Sequence, residues 1–171
     1  TLATVVLWGM AVALVDADVR AALPVLVVTL LAALATNVYI VGINQLTDVE
    51  IDRINKPELP VASGELGLPA ARALVTISAV LAVGLALLSG PYLLAAILVG
   101  LAVGTAYSLP PIRLKRFHLG AAAAITSVRA VVVNLLLFAH FTDVLGPAPS
   151  VPRHVWALTG MVLGLTIAIA W

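Results

Sequence analysis

Apolar residues run through this chain in long blocks, and the polar residues gather between them. Residues 21–43 contain no Asp, Glu, Lys or Arg, and residues 73–112 form a second uncharged stretch. A membrane-crossing helix needs about 20 mostly apolar residues, so the first block suits one span and the second is too long for one. Ser89-Gly90-Pro91 divides the second block, because Pro91 has no N–H for a helix ladder and Gly90 accepts a turn. Two helices are expected, near 68–88 and 91–108. Residues 119–140 predict a further span that carries a single charge, Arg129. Residues 1–15 and 155–171 predict two shorter ones. Strands of a membrane barrel alternate polar and apolar positions over about 10 residues, and these blocks do not. The expected fold is therefore all-α, a multi-pass transmembrane helix bundle with six spans, the first and last cut short.

Both ends fall inside apolar runs, TLATVVLWGMAVALV from Thr1 and VWALTGMVLGLTIAIAW up to Trp171. Neither carries the caps or turn residues that close a helix. The expectation is one transmembrane domain over 1–171, an internal slice of a longer membrane protein. Composition agrees with a lipid solvent: 63% of the residues are hydrophobic and 10% charged, against roughly 25% charged in soluble domains. A formal net charge of +1 supplies no field for a polyanion, so the lipid bilayer is an expected partner and nucleic acid is not. The absence of cysteine excludes a disulfide frame, a zinc–thiolate cage and a thiol nucleophile.

The cations are unevenly distributed. Arg53, Lys56, Arg72, Arg113, Lys115 and Arg116 fall in or beside the even-numbered loops, and only Arg20 and Arg153 in the odd ones. The positive-inside rule puts the even loops on the cytoplasmic or stromal face. Gly100 and Gly104 form a GxxxG pair, which lets helices approach closely in lipid. Packing inside the bundle is the expected use, with dimerisation as the alternative.

The chemistry concentrates in NQLTDVEIDRINKP (44–57). Asn44, Asp48 and Asp52 are spaced by four, which puts them on one helical face, with Glu50 on the opposite side. Two carboxylates and an amide oxygen make a hard oxygen surface suited to Mg²⁺ carrying a phosphate. An Asp at the centre of a membrane helix costs roughly 2.5–3.5 kcal/mol, so intramembrane acids point to function by default. A solvated helix end with interleaved charges is the bland alternative. Pro57 stops the helix, and Ser63-Gly64 turns the chain before the next span.

The run NVYIVGINQLTDVEIDRINKPELPVASGE (37–65) resembles the first aspartate-rich motif of the UbiA superfamily of intramembrane prenyltransferases, usually NDxxDxxxD. Gln45 stands where that pattern has its first Asp, which resembles the homogentisate prenyltransferase branch. GTAYSLPPIRLKRF (104–117) is a second match and SVRAVVVNL (127–135) a third. The resemblance implies an all-helical bundle with a cavity open to lipid. It also implies two aspartate-rich motifs that bind an allylic prenyl diphosphate through Mg²⁺. Carried onto this sequence, Asn44, Asp48 and Asp52 are the expected metal ligands, and Asp48, Asp52, Lys115 and Arg129 the expected catalytic residues. Asn44, Gln45, Lys56, Tyr107, Arg113, Arg116 and Asn134 are expected to bind substrate, Gln45 by hydrogen bonding rather than ligation.

The second aspartate motif is not in the chain, since Glu58, Glu65 and Asp143 form no DxxxD cluster. The chain by itself is accordingly expected to be inactive. The reaction implied is prenylation of homogentisate, with loss of diphosphate and CO₂, in tocopherol or plastoquinone synthesis. A bacterial or cyanobacterial membrane is the first expected location and a plastid membrane the second. Another quinone-ring acceptor or a chlorophyllide stays open, as do a transporter and a non-catalytic scaffold. His118, His140 and His154 are too scattered for a metal site. Trp8, Trp156 and Trp171 are expected at the lipid interface.

Overall fold

A computed structural model describes residues 2–117, 121, 126–146 and 151–170, without the side chains at 129, 166, 167, 169 and 170. His118 and Trp171 therefore lie outside the described residues. Seven α-helices lie among the described residues: α1 (Leu2–Val15), α2 (Val19–Thr47), α3 (Val49–Asn55), α4 (Leu68–Ser89), α5 (Pro91–Ser108), α6 (Val133–Leu145) and α7 (Arg153–Ala170). There is no strand among the described residues. Among the described residues three helices, α2, α4 and α5, are long and apolar enough to cross a membrane, and Leu2–Val15 and Ala130–Leu145 are shorter apolar segments. The molecule is a helix bundle of membrane type.

The Ser89-Gly90-Pro91 break falls where expected. Gly90 has φ +116°, a conformation open to glycine, and Pro91 takes the first position of α5. Helix α2 is longer than the uncharged block at both ends. At its start Asp18 caps the helix, its carboxylate accepting from the backbone N–H of Arg20 at 3.4 Å and of Ala21 at 3.1 Å. At its finish it runs on to Thr47 and so carries Asn44 within its last turn. Twenty-nine residues give a length of about 43 Å, more than the roughly 30 Å of a hydrocarbon core.

Helix α2 is the organising element. It packs along α4 and α5, while α1 lies against α6 and α2, and α7 meets α6 and the segment just before it. The core is unusually small-sided. Ala11, Ala32, Ala35, Ala82, Ala86 and Ala96 interleave with Leu7, Leu26, Leu93, Phe138 and Phe141. Small residues let helix backbones approach, which matters in lipid, where the surroundings are as apolar as the core. A Cβ on Gly104 would stand 2.6 Å from Cγ1 of Ile40, and one on Gly100 3.2 Å from Cγ2 of Thr36. The GxxxG pair thus seats α2 on α5 within the bundle. Tyr39 adds a polar link between the same helices, its hydroxyl 2.7 Å from Oγ1 of Thr105. The outer face stays apolar, with Ile77, Val80, Leu87 and Leu88 of α4 all exposed, as a lipid-facing helix requires.

One side chain differs from expectation. Trp8 is partly buried and its Nε1–H donates to the carbonyl of Ala22 at 3.1 Å, so it links α1 to α2. Trp156 is exposed, as an interface residue would be. His140 is buried and hydrogen-bonded inside the bundle.

Candidate functional site

Helix α2 ends at Thr47 because Asp48 adopts φ −116°, ψ 15°. The ladder nevertheless continues through the break. Asp48 N–H donates to Asn44 C=O at 3.1 Å, Asp52 N–H to Asp48 C=O and Lys56 N–H to Asp52 C=O, each at 2.7 Å. The spacing of four therefore keeps its meaning across the kink, and Asn44, Asp48 and Asp52 share a face. Glu50 points away, with its side chain 87% exposed and paired to Arg53. Pro57 follows at once and closes the element.

The opposing cations come from the end of α5. Ser108 is the last helical residue, Leu109 is extended, and Arg113 lies in the left-handed region at φ 40°, ψ 62°. For a residue with a Cβ that conformation costs roughly 1–2 kcal/mol. It turns the chain into a short 3₁₀ segment, Leu114–Arg116, and sends the loop back over the end of α2.

Lys115 Nζ donates to Oδ1 of Asn44 at 3.1 Å and Oγ1 of Thr47 at 3.2 Å, and pairs directly with Oδ2 of Asp48. An ammonium has three protons to donate, and all three find oxygen here. Arg113 Nη2 takes the other Asp48 oxygen at 3.1 Å. Ser108 Oγ donates to Asn44 Oδ1 at 3.4 Å. The Asp48 and Lys115 side chains are 13% and 14% exposed. Charge-assisted bonds of this kind are about twice as strong as neutral ones.

Asp52 is buried, and its carboxylate has no hydrogen bond or ion pair among the described residues. A groove of about 410 Å³ opens on this cluster, lined by Asp48, Ile51, Arg113, Lys115 and Arg116. An apolar groove of about 360 Å³ lies on the other side of the same loop, lined by Ala102, Thr105, Ala106 and Leu109–Ile112.

The remaining expected site residues are spread more widely. Arg116 borders the polar groove and its guanidinium stacks on Phe117, 4.6 Å from the ring centre. Tyr107 is half-buried on α5, with no side-chain bond among the described residues. Lys56 is exposed and makes no ion pair among them. Gln45 Oε1 accepts a long hydrogen bond, 3.4 Å, from the backbone N–H of Val61, tying the following loop to α2. Asn134 is buried and its Nδ2 donates to the carbonyl of Ala130 on its own helix at 2.9 Å. The Arg129 side chain lies outside the described residues; its backbone belongs to a π-helical turn, Val128–Val132, a form that often occurs at functional sites. Thr47 and Ser108 join the cluster without having been expected. Thr47 lies within one turn of Asn44 and could have been suspected from that alone.

The donor set suits a hard divalent cation. Asp52 offers a carboxylate without a partner among the described residues, with Asp48 and the Asn44 amide oxygen one and two turns before it. No group of three or more His, Cys, Asp or Glu side chains gathers among the described residues. A metal held here would therefore take much of its coordination from water and phosphate oxygens, as Mg²⁺ commonly does.

The model of the UbiA prenyltransferase family matches residues 2–171. The chain belongs to that family. Homogentisate phytyltransferase of Synechocystis sp. is 49% identical over 140 residues, which is 82% of this chain and 46% of the relative. Homogentisate phytyltransferase 1 of Arabidopsis thaliana is 41% identical over 143 residues, 81% of this chain and 36% of the relative. Homogentisate geranylgeranyltransferase of Hordeum vulgare is 45% identical over 114 residues, 65% and 28% of the two chains. This UbiA-family chain spans less than half the length of these relatives. No solved structure matches it.

Proposed function

We propose that this UbiA-family protein, in its full-length form, is an aromatic prenyltransferase. It moves a phytyl-like group from an allylic diphosphate to homogentisate in tocopherol or plastoquinone synthesis. The observation that carries the proposal is the meeting of Arg113 and Lys115 with Asp48, beside the unpaired carboxylate of Asp52. Cations that meet Asp48 on one groove, with Asp52 one turn further on, suit a metal-bound diphosphate, and the names of the relatives supply the acceptor.

Asn44, Asp48 and Asp52 would hold Mg²⁺, which when bound supplies Lewis-acid stabilisation of the departing diphosphate. Arg113 and Lys115 neutralise the same leaving group from the side of α5, and Arg116 at the groove edge helps to bind the diphosphate. Preorganised charge of this kind acts strongly where water is scarce. As the allylic C–O bond breaks, the electron-rich homogentisate ring attacks the allylic carbon and gives up its ring proton. The acetate side chain loses CO₂ and takes up a proton, and diphosphate leaves. Arg129 is assigned to the diphosphate or to the homogentisate carboxylate. Asn134 and Tyr107 are assigned to substrate contact, and Lys56 to the diphosphate side of the site. The acidic cluster that resembles half of the family's pair requires a second, so the 171-residue chain alone is proposed to be inactive. A cyanobacterial or other bacterial membrane, or a plastid membrane, is the proposed setting, with the end carrying Asp48 on the cytoplasmic or stromal face.

The test uses membranes containing the full-length protein, labelled homogentisate, and phytyl, geranylgeranyl or solanesyl diphosphate. Prenylated product is expected, with loss of activity on adding a chelator and recovery with Mg²⁺. Absence of product from every donor would sink the proposal.

A further inference from the structure

The Lys115 ammonium sits where the metal is needed. Its three contacts are Asn44 Oδ1, Thr47 Oγ1 and Asp48 Oδ2, and two of those oxygens belong to the expected ligands. Arg113 takes the remaining Asp48 oxygen. One half of the acidic face is thus plugged by side-chain cations, while Asp52, nine-tenths buried, has none among the described residues. We infer that Lys115 is a resident counter-ion of the site, and that a divalent metal enters only together with a diphosphate, when the ammonium passes from Asp48 to the diphosphate oxygens. This inference rests on the prenyl-transfer proposal.

Charge makes the exchange conditional. Arg113 and Lys115 already offset Asp48 and Asp52 in formal charge, and Arg116 adds a further cation at the groove. A bare divalent ion would leave the cluster with excess positive charge and would press against the ammonium at contact distance, where repulsion is strong in a medium drier than water. A metal that arrives with a diphosphate brings several negative charges, and these give Lys115 and Arg113 new partners as Asp48 is taken. Lysine suits this role: its charge is compact and its four-carbon stem is flexible. The stem also springs from a short 3₁₀ segment in a loop rather than from a membrane-packed helix. The consequence is ordered binding, in which the site does not fill idly with metal. Lys115 then acts twice, first as a placeholder and then as a partner of the leaving group.

The experiment is a Mn²⁺ titration of the full-length protein in nanodiscs, followed by electron paramagnetic resonance of the free ion, with and without inorganic diphosphate. An Asp52→Asn protein measured in parallel corrects for Mn²⁺ held by diphosphate in solution. The wild-type protein is expected to bind Mn²⁺ at least tenfold more tightly when diphosphate is present. Lys115→Met is expected to bind Mn²⁺ alone at least tenfold more tightly than wild type, while Lys115→Arg keeps the wild-type pattern. The inference is overturned if wild type binds Mn²⁺ equally well with and without diphosphate, a comparison that needs no variant to fold. It is overturned equally if folded Lys115→Met binds Mn²⁺ no better than wild type. Failure of prenyl transfer with this Mn²⁺ pattern intact would sink the proposed reaction and leave the exchange standing.

Discussion

Helix α2 carries two polar groupings, one at Thr29 and one beginning at Asn44, about 22 Å apart along its axis at 1.5 Å per residue, and they differ in kind. In the first, the Thr29 hydroxyl donates to Val25 C=O at 2.7 Å and lies 3.1 Å from Nε2 of His140 on α6. With the hydroxyl proton committed to Val25, the imidazole N–H is the donor to Thr29. Both side chains are fully buried, and neither lines a groove described above. In the second, at the end of α2, Asn44 and Asp48 meet two cations beside an open groove, and the neighbouring Asp52 carboxylate is left over. A neutral pair that is satisfied and closed holds two helices together. A charged cluster that is open and incompletely matched is equipped to receive a ligand. The first pair is fully buried and Asn44 and Asp48 are half-buried, and the leftover partner and the groove belong to the second grouping.

The contrast can be broken most forcefully at its charged end. In the full-length protein, Asp52→Asn and Asp48→Asn are each expected to lower prenyl transfer roughly 100-fold or more, the scale of losing a preorganised electrostatic group. Thermal unfolding should show the Asp52→Asn protein still folded, because that carboxylate pairs with nothing among the described residues. A near-normal rate would reduce the cluster to a solvated helix end. Between the two groupings, Gly104→Ala is expected to cost about 1–3 kcal/mol, the usual penalty of overpacking. The new Cβ would stand 2.6 Å from Ile40. Gly84→Ala is the control, since nothing lies within 4 Å of its Cβ position, and unfolding midpoints in detergent compare the two.

At the neutral end, Thr29→Val should lower stability by about 1–3 kcal/mol by leaving the His140 N–H without its acceptor. Its turnover should stay within about twofold, since packing and not transition-state charge is lost. A large loss of turnover at unchanged stability would place His140 in the chemistry and erase the distinction. The smallest effect is expected from Arg116→Ala. It removes a stacking contact with Phe117 worth about 0.5–1 kcal/mol and one charge at the groove edge. Steady-state kinetics should show a modest rise in KM for the prenyl diphosphate and little change in kcat.

Much of this was legible in the sequence, for reasons that can be stated. The helices 68–88 and 91–108 were readable because Gly90 and Pro91 impose a break through backbone chemistry alone. The shared face of Asn44, Asp48 and Asp52 was readable because the periodicity of four is local, and it survived even the kink at Asp48. The start of α2 was misjudged by two residues, because the side chain of Asp18 caps the helix outside the apolar block. Its finish was read at Pro57, whereas α2 ends at Thr47 and α3 continues to Asn55, because Asp48 leaves helical geometry between them.

What was not legible depends on distance in the chain. Nothing local says that Arg113 turns left-handed, and without that turn Lys115 would not come back to residues more than sixty positions earlier. Thr47 and Ser108 are ordinary hydroxyl residues until that loop returns. Trp8 was read from the tendency of tryptophan to mark interfaces, but its polar atom, like that of His140, found a partner inside the bundle.

The glycine seats on α5 have a further consequence. Thr36 and Ile40 rest against the backbone at Gly100 and Gly104, and Ser108 follows one turn later. The root of the cationic loop is therefore fixed to the same helix that presents the acids. From there the seven residues Leu109 to Lys115 act as a tether of set length on a stationary pivot. Such a tether is a portable cassette: exchanged between relatives with the same seats, it should carry its own placement of charge into a bundle that needs no refitting.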